Sequence, residues 1–122
     1  KHLPKEEVVI QADRNQFIRI LNNLIKNAIQ SITDKNKGEI QIKLILQDQT
    51  VELQIKDNGC GISEKEKIHV FEPRFTTKTG GMGLGLALVK KMVENADGNI
   101  RFESQENLGT RFILQFPKYT MV

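Results

Sequence analysis

Two stretches near the middle of the chain alternate apolar and polar residues strictly enough to limit the folds open to it. In residues 39–46 (EIQIKLIL) the apolar positions are Ile40, Ile42, Leu44 and Leu46, and in residues 51–57 (VELQIKD) they are Val51, Leu53 and Ile55. Side chains of a strand point alternately to opposite faces, so each stretch offers one face to a core and one to water. Residues 48–50 between them read as the turn of a hairpin. Such a hairpin needs a partner layer over its apolar face.

Two further stretches carry the helical spacing of three or four that can supply it. Phe17, Leu21, Leu24, Ala28 and Ile32 line one face of a helix of about twenty residues, opened by Asp13 and Gln16 as a capping box. Residues 84–96 (LGLALVKKMVENA) predict a second helix, with Leu84, Leu88 and Met92 on one face and an end at Asp97 and Gly98. Residues 6–11 (EEVVIQ) read as a short strand, Ser63 as the cap of a helical turn, and 99–104 and 110–116 as two closing strands around a turn at 106–109. Between 72 and 83 there is no periodicity, only Pro73, Gly80, Gly81 and Gly83 as punctuation, which predicts a mobile loop. The order of elements predicts an α/β (α+β) two-layer sandwich, a mixed and mostly antiparallel sheet covered on one face by about three helices.

A chain of 122 residues is one domain, spanning 1–122. Its 18 Lys and Arg against 15 Asp and Glu leave +3 with the signs interspersed, a solvated surface that does not call for nucleic acid. No apolar run approaches the roughly 20 residues that cross a membrane, and no signal peptide is recognisable. Cys60 has no second cysteine to pair with, and with the distant His2 and His69 it makes no zinc site. A reducing, cytoplasmic setting is expected. The abrupt start at Lys1 reads as the edge of a domain excised from a longer protein.

Three places carry chemistry. Asn22, Asn23 and Asn27 sit in the middle of the first helix with Gln30 one turn on, although Asn costs up to about 0.7 kcal/mol there relative to Ala. Asn23, Asn27 and Gln30 share one edge, either as a solvated polar stripe or as amide oxygens for magnesium, which takes hard oxygen ligands. Asp57 ends a strand and runs into Asn58, Gly59, Cys60 and Gly61. This is turn chemistry, or a carboxylate for an exocyclic amine such as that of adenine, with glycines that let a flat ligand approach. Finally, Gly80, Gly81, Gly83 and Gly85 feed the second helix, either as a hinge or as a phosphate site of unpaired amides and helix dipole. A Walker loop is excluded by Leu86 and Ala87, and the dinucleotide fingerprint by the lack of a preceding strand.

Taken together, the three places resemble the catalytic, ATP-binding domain of sensor histidine kinases (the Bergerat fold), in the superfamily that also holds gyrase, MutL and a heat-shock chaperone. NNLIKNAIQSI resembles the N box, DNGCGI the first glycine box, FEPRFTTK the F box and lid, GGMGLGLALV the second glycine box and ENLGTRFILQFP the last glycine-containing segment. The resemblance implies that Asn27 ligates magnesium and that Asn23 lies a turn behind it near the phosphates. It implies that Asp57 binds the adenine amine with Gly59 and Gly61 beside the base and Thr110 in support. Gly81, Gly83, Leu84 and Gly85 would wrap the phosphates under a lid at 72–83. There Lys78 would meet the outer phosphates, with Thr76 and Thr77 as lesser candidates and Phe71 and Phe75 as anchors. Arg74 stands where an aromatic is usual and is either a second phosphate contact or, as favoured here, a surface residue; Gln30 stands where Lys or Glu is frequent, which argues against a nucleotide contact, and Cys60 fills a variable slot as an incidental rather than redox-active residue.

The implied activity is transfer of the ATP γ-phosphoryl, with magnesium, to a histidine on an N-terminal dimerisation domain that this chain lacks. Asn23 and Lys78 would be the catalytic residues. Expected partners are that domain and a response regulator, with the fragment monomeric and the parent a homodimer, membrane-anchored or not. Hydrolytic relatives carry Glu one turn before the magnesium Asn, where it can activate water. The anti-sigma serine kinases carry it too. Asn23 stands there instead, which argues against an ATPase and against a free-standing protein-binding module.

Overall fold

The computed structural model describes residues 14–34, 36–72 and 85–118. The strand expected at 6–11, Asp13, and the predicted loop beyond Glu72 lie outside them. In chain order the elements are α1 (Arg14–Ser31), β1 (Ile40–Leu46), β2 (Thr50–Asp57), α2 (Glu64–Lys67), α3 (Gly85–Asn95), β3 (Asn99–Gln105) and β4 (Gly109–Pro117). Among the described residues the sheet runs β1-β2-β4-β3, and each neighbouring pair is antiparallel. An open four-stranded sheet with three helices is the result.

Alternation within the strands becomes rows across the sheet. Leu44, Leu53, Leu114 and Ile100 are register partners in one row, and Ile42, Ile55, Phe112 and Phe102 in the next. These apolar rows meet Ile20 and Leu24 of α1 and Val89 and Val93 of α3, all at most 1% exposed. Each such side chain contributes about 1.5–3 kcal/mol on burial. The helices also pack on one another, and Phe17 sets its ring edgewise to Phe116 at 5.9 Å. No helix among the described residues is long and apolar enough to cross a membrane.

α3 differs from its predicted phase. Its buried residues are Leu86, Val89, Met92 and Val93, whereas Leu88 is 41% exposed and Leu84 lies outside the described residues. LGLALV is almost continuously apolar, so periodicity does not choose which residues face inward; contact with the sheet does. At the end of α3 the Gly98 N–H returns to the Val93 carbonyl at 2.9 Å while Asp97 takes the left-handed φ of 59°. Ser63 precedes α2 as expected, but its hydroxyl donates to Glu66 Oε1 at 2.9 Å and caps no backbone N–H.

Candidate functional site

One register step beyond Ile55 and Phe112 the apolar pattern stops. The next row on the same face is Ile40, Asp57, Thr110 and Ser104. Asp57 and Thr110 are only 3% and 5% exposed. A buried carboxylate is costly without donors, so its partners are the first question. The Gly59 N–H donates to Asp57 Oδ1 at 2.8 Å, and the hydroxyl of Ser31, the last residue of α1, lies 3.0 Å from the same oxygen.

The loop after Asp57 is built to bring these groups together. A Cβ on Gly59 would stand 2.1 Å from Ser31 Oγ, and one on Gly61, at φ 70°, would stand 2.2 Å from the Gln105 carbonyl. The close approach that the sequence suggests for a flat ligand is thus made at both glycines by protein. Between them the Cys60 N–H donates to the Ser31 carbonyl at 2.9 Å, and the Cys60 carbonyl accepts from Asn107 N–H at 2.7 Å. Asn58 ties the loop to the start of β1, accepting from Glu39 N–H and donating to the Lys37 carbonyl, each at 2.8 Å. On the other side of Asp57, Thr110 Oγ1 and Ser104 Oγ are 2.8 Å apart, and Ser104 accepts from Ile62 N–H at 2.8 Å.

Along α1, Asn23 and Asn27 are half-exposed, on the border of the buried stripe Ile20, Leu24 and Ala28. Residues four apart share a helix edge, so the edge of Asn23 and Asn27 ends at Ser31 and Asp57. At about 1.5 Å per residue, Asn27 and Asn23 stand about 6 and 12 Å back along the axis from Ser31. Gln30 is exposed on a different face from Ser31. Ser31 is the site residue that sequence reasoning passed over, and its signal was the spacing 23, 27, 31. Gly85 opens α3, while Lys78, Gly81, Gly83 and Leu84 lie outside the described residues.

Among the described residues no cluster of three or more His, Cys, Asp or Glu could hold a metal. Asn23 and Asn27 fit a different arrangement, in which an amide oxygen adds to oxygens that come with a phosphate-bearing ligand. A cleft of about 380 Å³ is lined by Asp57, Ser104 and Thr110 of this polar row as well as by Lys56, Glu103 and Arg111. Lys56, Glu103 and Arg111 belong to the adjacent row, whose side chains point to the other face, and Arg111 is 3.4 Å from Glu103. Ser31 and Asp57 meet where α1 ends over the sheet.

Residues 12–120 match the family described as histidine kinase-, DNA gyrase B-, and HSP90-like ATPase. The chain is 39% identical to sporulation kinase A of Bacillus subtilis (strain 168), with 93% of this chain covered and 18% of that protein. It therefore spans about a fifth of that curated relative's length. Its fold is similar to the catalytic domain of histidine kinase ThkA, at a TM-score of 0.76 and 39% identity, covering 89% of this chain and 70% of that one. It is also similar to full-length ShkA in complex with AMPPNP, at a TM-score of 0.79 and 25% identity, covering 95% of this chain and 24% of that one.

Proposed function

Because the chain belongs to the histidine kinase-, DNA gyrase B-, and HSP90-like ATPase family, we propose that it is the ATP-binding catalytic domain of a sensor histidine kinase. In this reading it transfers the γ-phosphoryl group to a histidine on a dimerisation domain outside the chain. The observation that carries the reading is the Asp57 carboxylate, buried where an apolar face turns polar and braced by Gly59 N–H. Such an acceptor suits the exocyclic amine of adenine, with Thr110 beside it on β4. Gly59 and Gly61 act by shaping the wall of the base site.

From adenine the nucleotide extends back along α1, towards Asn27 and Asn23. Asn27 would hold magnesium, which would supply positive charge against the charge that develops during transfer. Asn23 would orient the phosphates one turn further back. Lys78 with Gly81, Gly83, Leu84 and Gly85 would complete the phosphate contacts, under a lid at 72–83. Phosphoryl transfer rests on positioning and on electrostatic stabilisation, which these residues supply; the nucleophile and its base must come from the partner domain. Asn23 is a neutral amide and cannot activate water, which favours a protein nucleophile. A response regulator then follows as the final acceptor, a homodimer as the parent assembly and the cytoplasm as the place of work.

The test is labelling in trans. Mixed with a separately made dimerisation domain and labelled ATP, the chain should transfer label to that domain's histidine as an acid-labile product. Alone it should release phosphate hardly at all. Rapid release by the chain alone would mark an ATPase, and acid-stable labelling a serine kinase.

A further inference from the structure

Ser31 lies within 2.8 Å of the Ala28 carbonyl and 3.0 Å of Asp57 Oδ1. Both are acceptors, and a serine hydroxyl has one proton. Bonding back to the carbonyl three residues earlier is the ordinary local habit of a helical serine. Against it stands a buried carboxylate, to which a hydrogen bond is roughly twice as strong as one between neutral groups. The ionised acceptor wins, and the proton goes to Asp57. Gly59 is what permits this, since a Cβ there would occupy the space of the Ser31 hydroxyl.

We propose that Ser31 is a positioning residue for base recognition, holding the Asp57 carboxylate in the orientation that reads the exocyclic amine of adenine. The inference rests on the assignment of Asp57 as the adenine acceptor. With Ser31 and Gly59 both donating to Oδ1, the carboxylate plane is fixed from one side, which sets the direction in which it accepts from an incoming amine. Ser31 also accepts from Cys60 N–H through its own carbonyl, so one residue clamps both the carboxylate and the loop beside it to the end of α1. The helix that bears Asn23 and Asn27 thereby sets the position of the adenine acceptor as well.

The experiment measures binding of ATP and of purine riboside triphosphate, which lacks only the 6-amino group, to the wild-type chain, Ser31→Ala and Asp57→Asn. Thermal unfolding of each confirms a folded chain. Wild type should prefer ATP by about tenfold to a hundredfold, the worth of a bond to a charged acceptor. In Ser31→Ala the preference should shrink to about threefold or less, while affinity for the amine-free nucleotide stays within a factor of about two of wild type. Ser31→Thr, which keeps the hydroxyl, should restore the preference. Equal loss for both nucleotides would show a merely structural role and overturn the proposal. So would an undiminished preference in Ser31→Ala alongside its loss in Asp57→Asn, a result that leaves the Asp57 assignment standing. Absence of any preference in wild type would overturn both.

Discussion

Two neighbouring rows of the same sheet face do opposite work. Ile55, Phe112 and Phe102 belong to a closed apolar layer, whereas Asp57, Thr110 and Ser104, the next row on those strands, are polar and hydrogen-bonded. The backbone ladder is continuous through both, so the difference lies wholly in side chains and in what covers them. The first row packs into the buried cluster that also holds Leu24 and Val89; at the second α1 ends, and Ser31 and the Gly59 N–H take the place of apolar neighbours. In the proposed reading, the base site is made by ending a helix over a sheet and writing polar residues into the row beneath its end. The lesson is that this fold needs little departure from its core pattern to gain a polar pocket.

Breaking the apolar row should have the largest effect. Phe112→Ala removes a side chain that is 2% exposed and rests against Phe102 at 5.9 Å. It should cost about 3–5 kcal/mol of stability, seen as a fall in the urea midpoint with any loss of nucleotide binding following from unfolding. Breaking the polar row should separate the two properties. Asp57→Asn keeps an oxygen for the Gly59 N–H but sets an amide donor against an amine donor. Affinity for an ATP analogue should fall by roughly one to two decades, or about 1.5–3 kcal/mol, with the urea midpoint little changed. Unchanged affinity in a calorimetric titration would remove Asp57 from the base site.

Smaller effects sharpen the contrast. If Asn27 holds magnesium as proposed, Asn27→Ala should weaken ATP binding when magnesium is present and leave it nearly unchanged in chelator. Equal losses in the two conditions would point to a structural amide. Thr110→Val extends the apolar row by one residue at nearly constant shape. Stability should shift by no more than about 1 kcal/mol, while analogue affinity falls about threefold to tenfold from loss of a neutral hydrogen-bonding group. A stability loss matching that of Phe112→Ala would mean that the Thr110 hydroxyl holds the fold together.

Much of the apolar row was legible in the sequence, because strict alternation in β1 and β2 leaves one register that puts Ile42, Leu44, Leu53 and Ile55 on the same face. Asp57 was legible as a strand-end carboxylate running into a glycine turn. Ser31 was not. A serine at a helix end is common, and its partner lies 26 residues on, a distance that only the folded sheet closes. Gly59 and Gly61 were noticed for closeness of approach, but what approaches them is set by tertiary contacts with Ser31 and Gln105. Ile20 was missed beside Leu21 for the reason that α3 was misphased. Adjacent apolar residues satisfy two helix phases equally, and only packing selects the one at 1% exposure.

The most direct test of the contrast is to follow backbone amide resonances of the chain while AMPPNP is added with magnesium. If the polar row is the base site, the amides of Asp57, Gly59, Cys60, Gly61 and Thr110 should shift in step with saturation, while those of Leu53, Ile100 and Leu114 hold still. Shifts confined to the opposite end of the strands, around Gln47 to Thr50, or to the outer face around Arg101 and Gln115, would contradict the account.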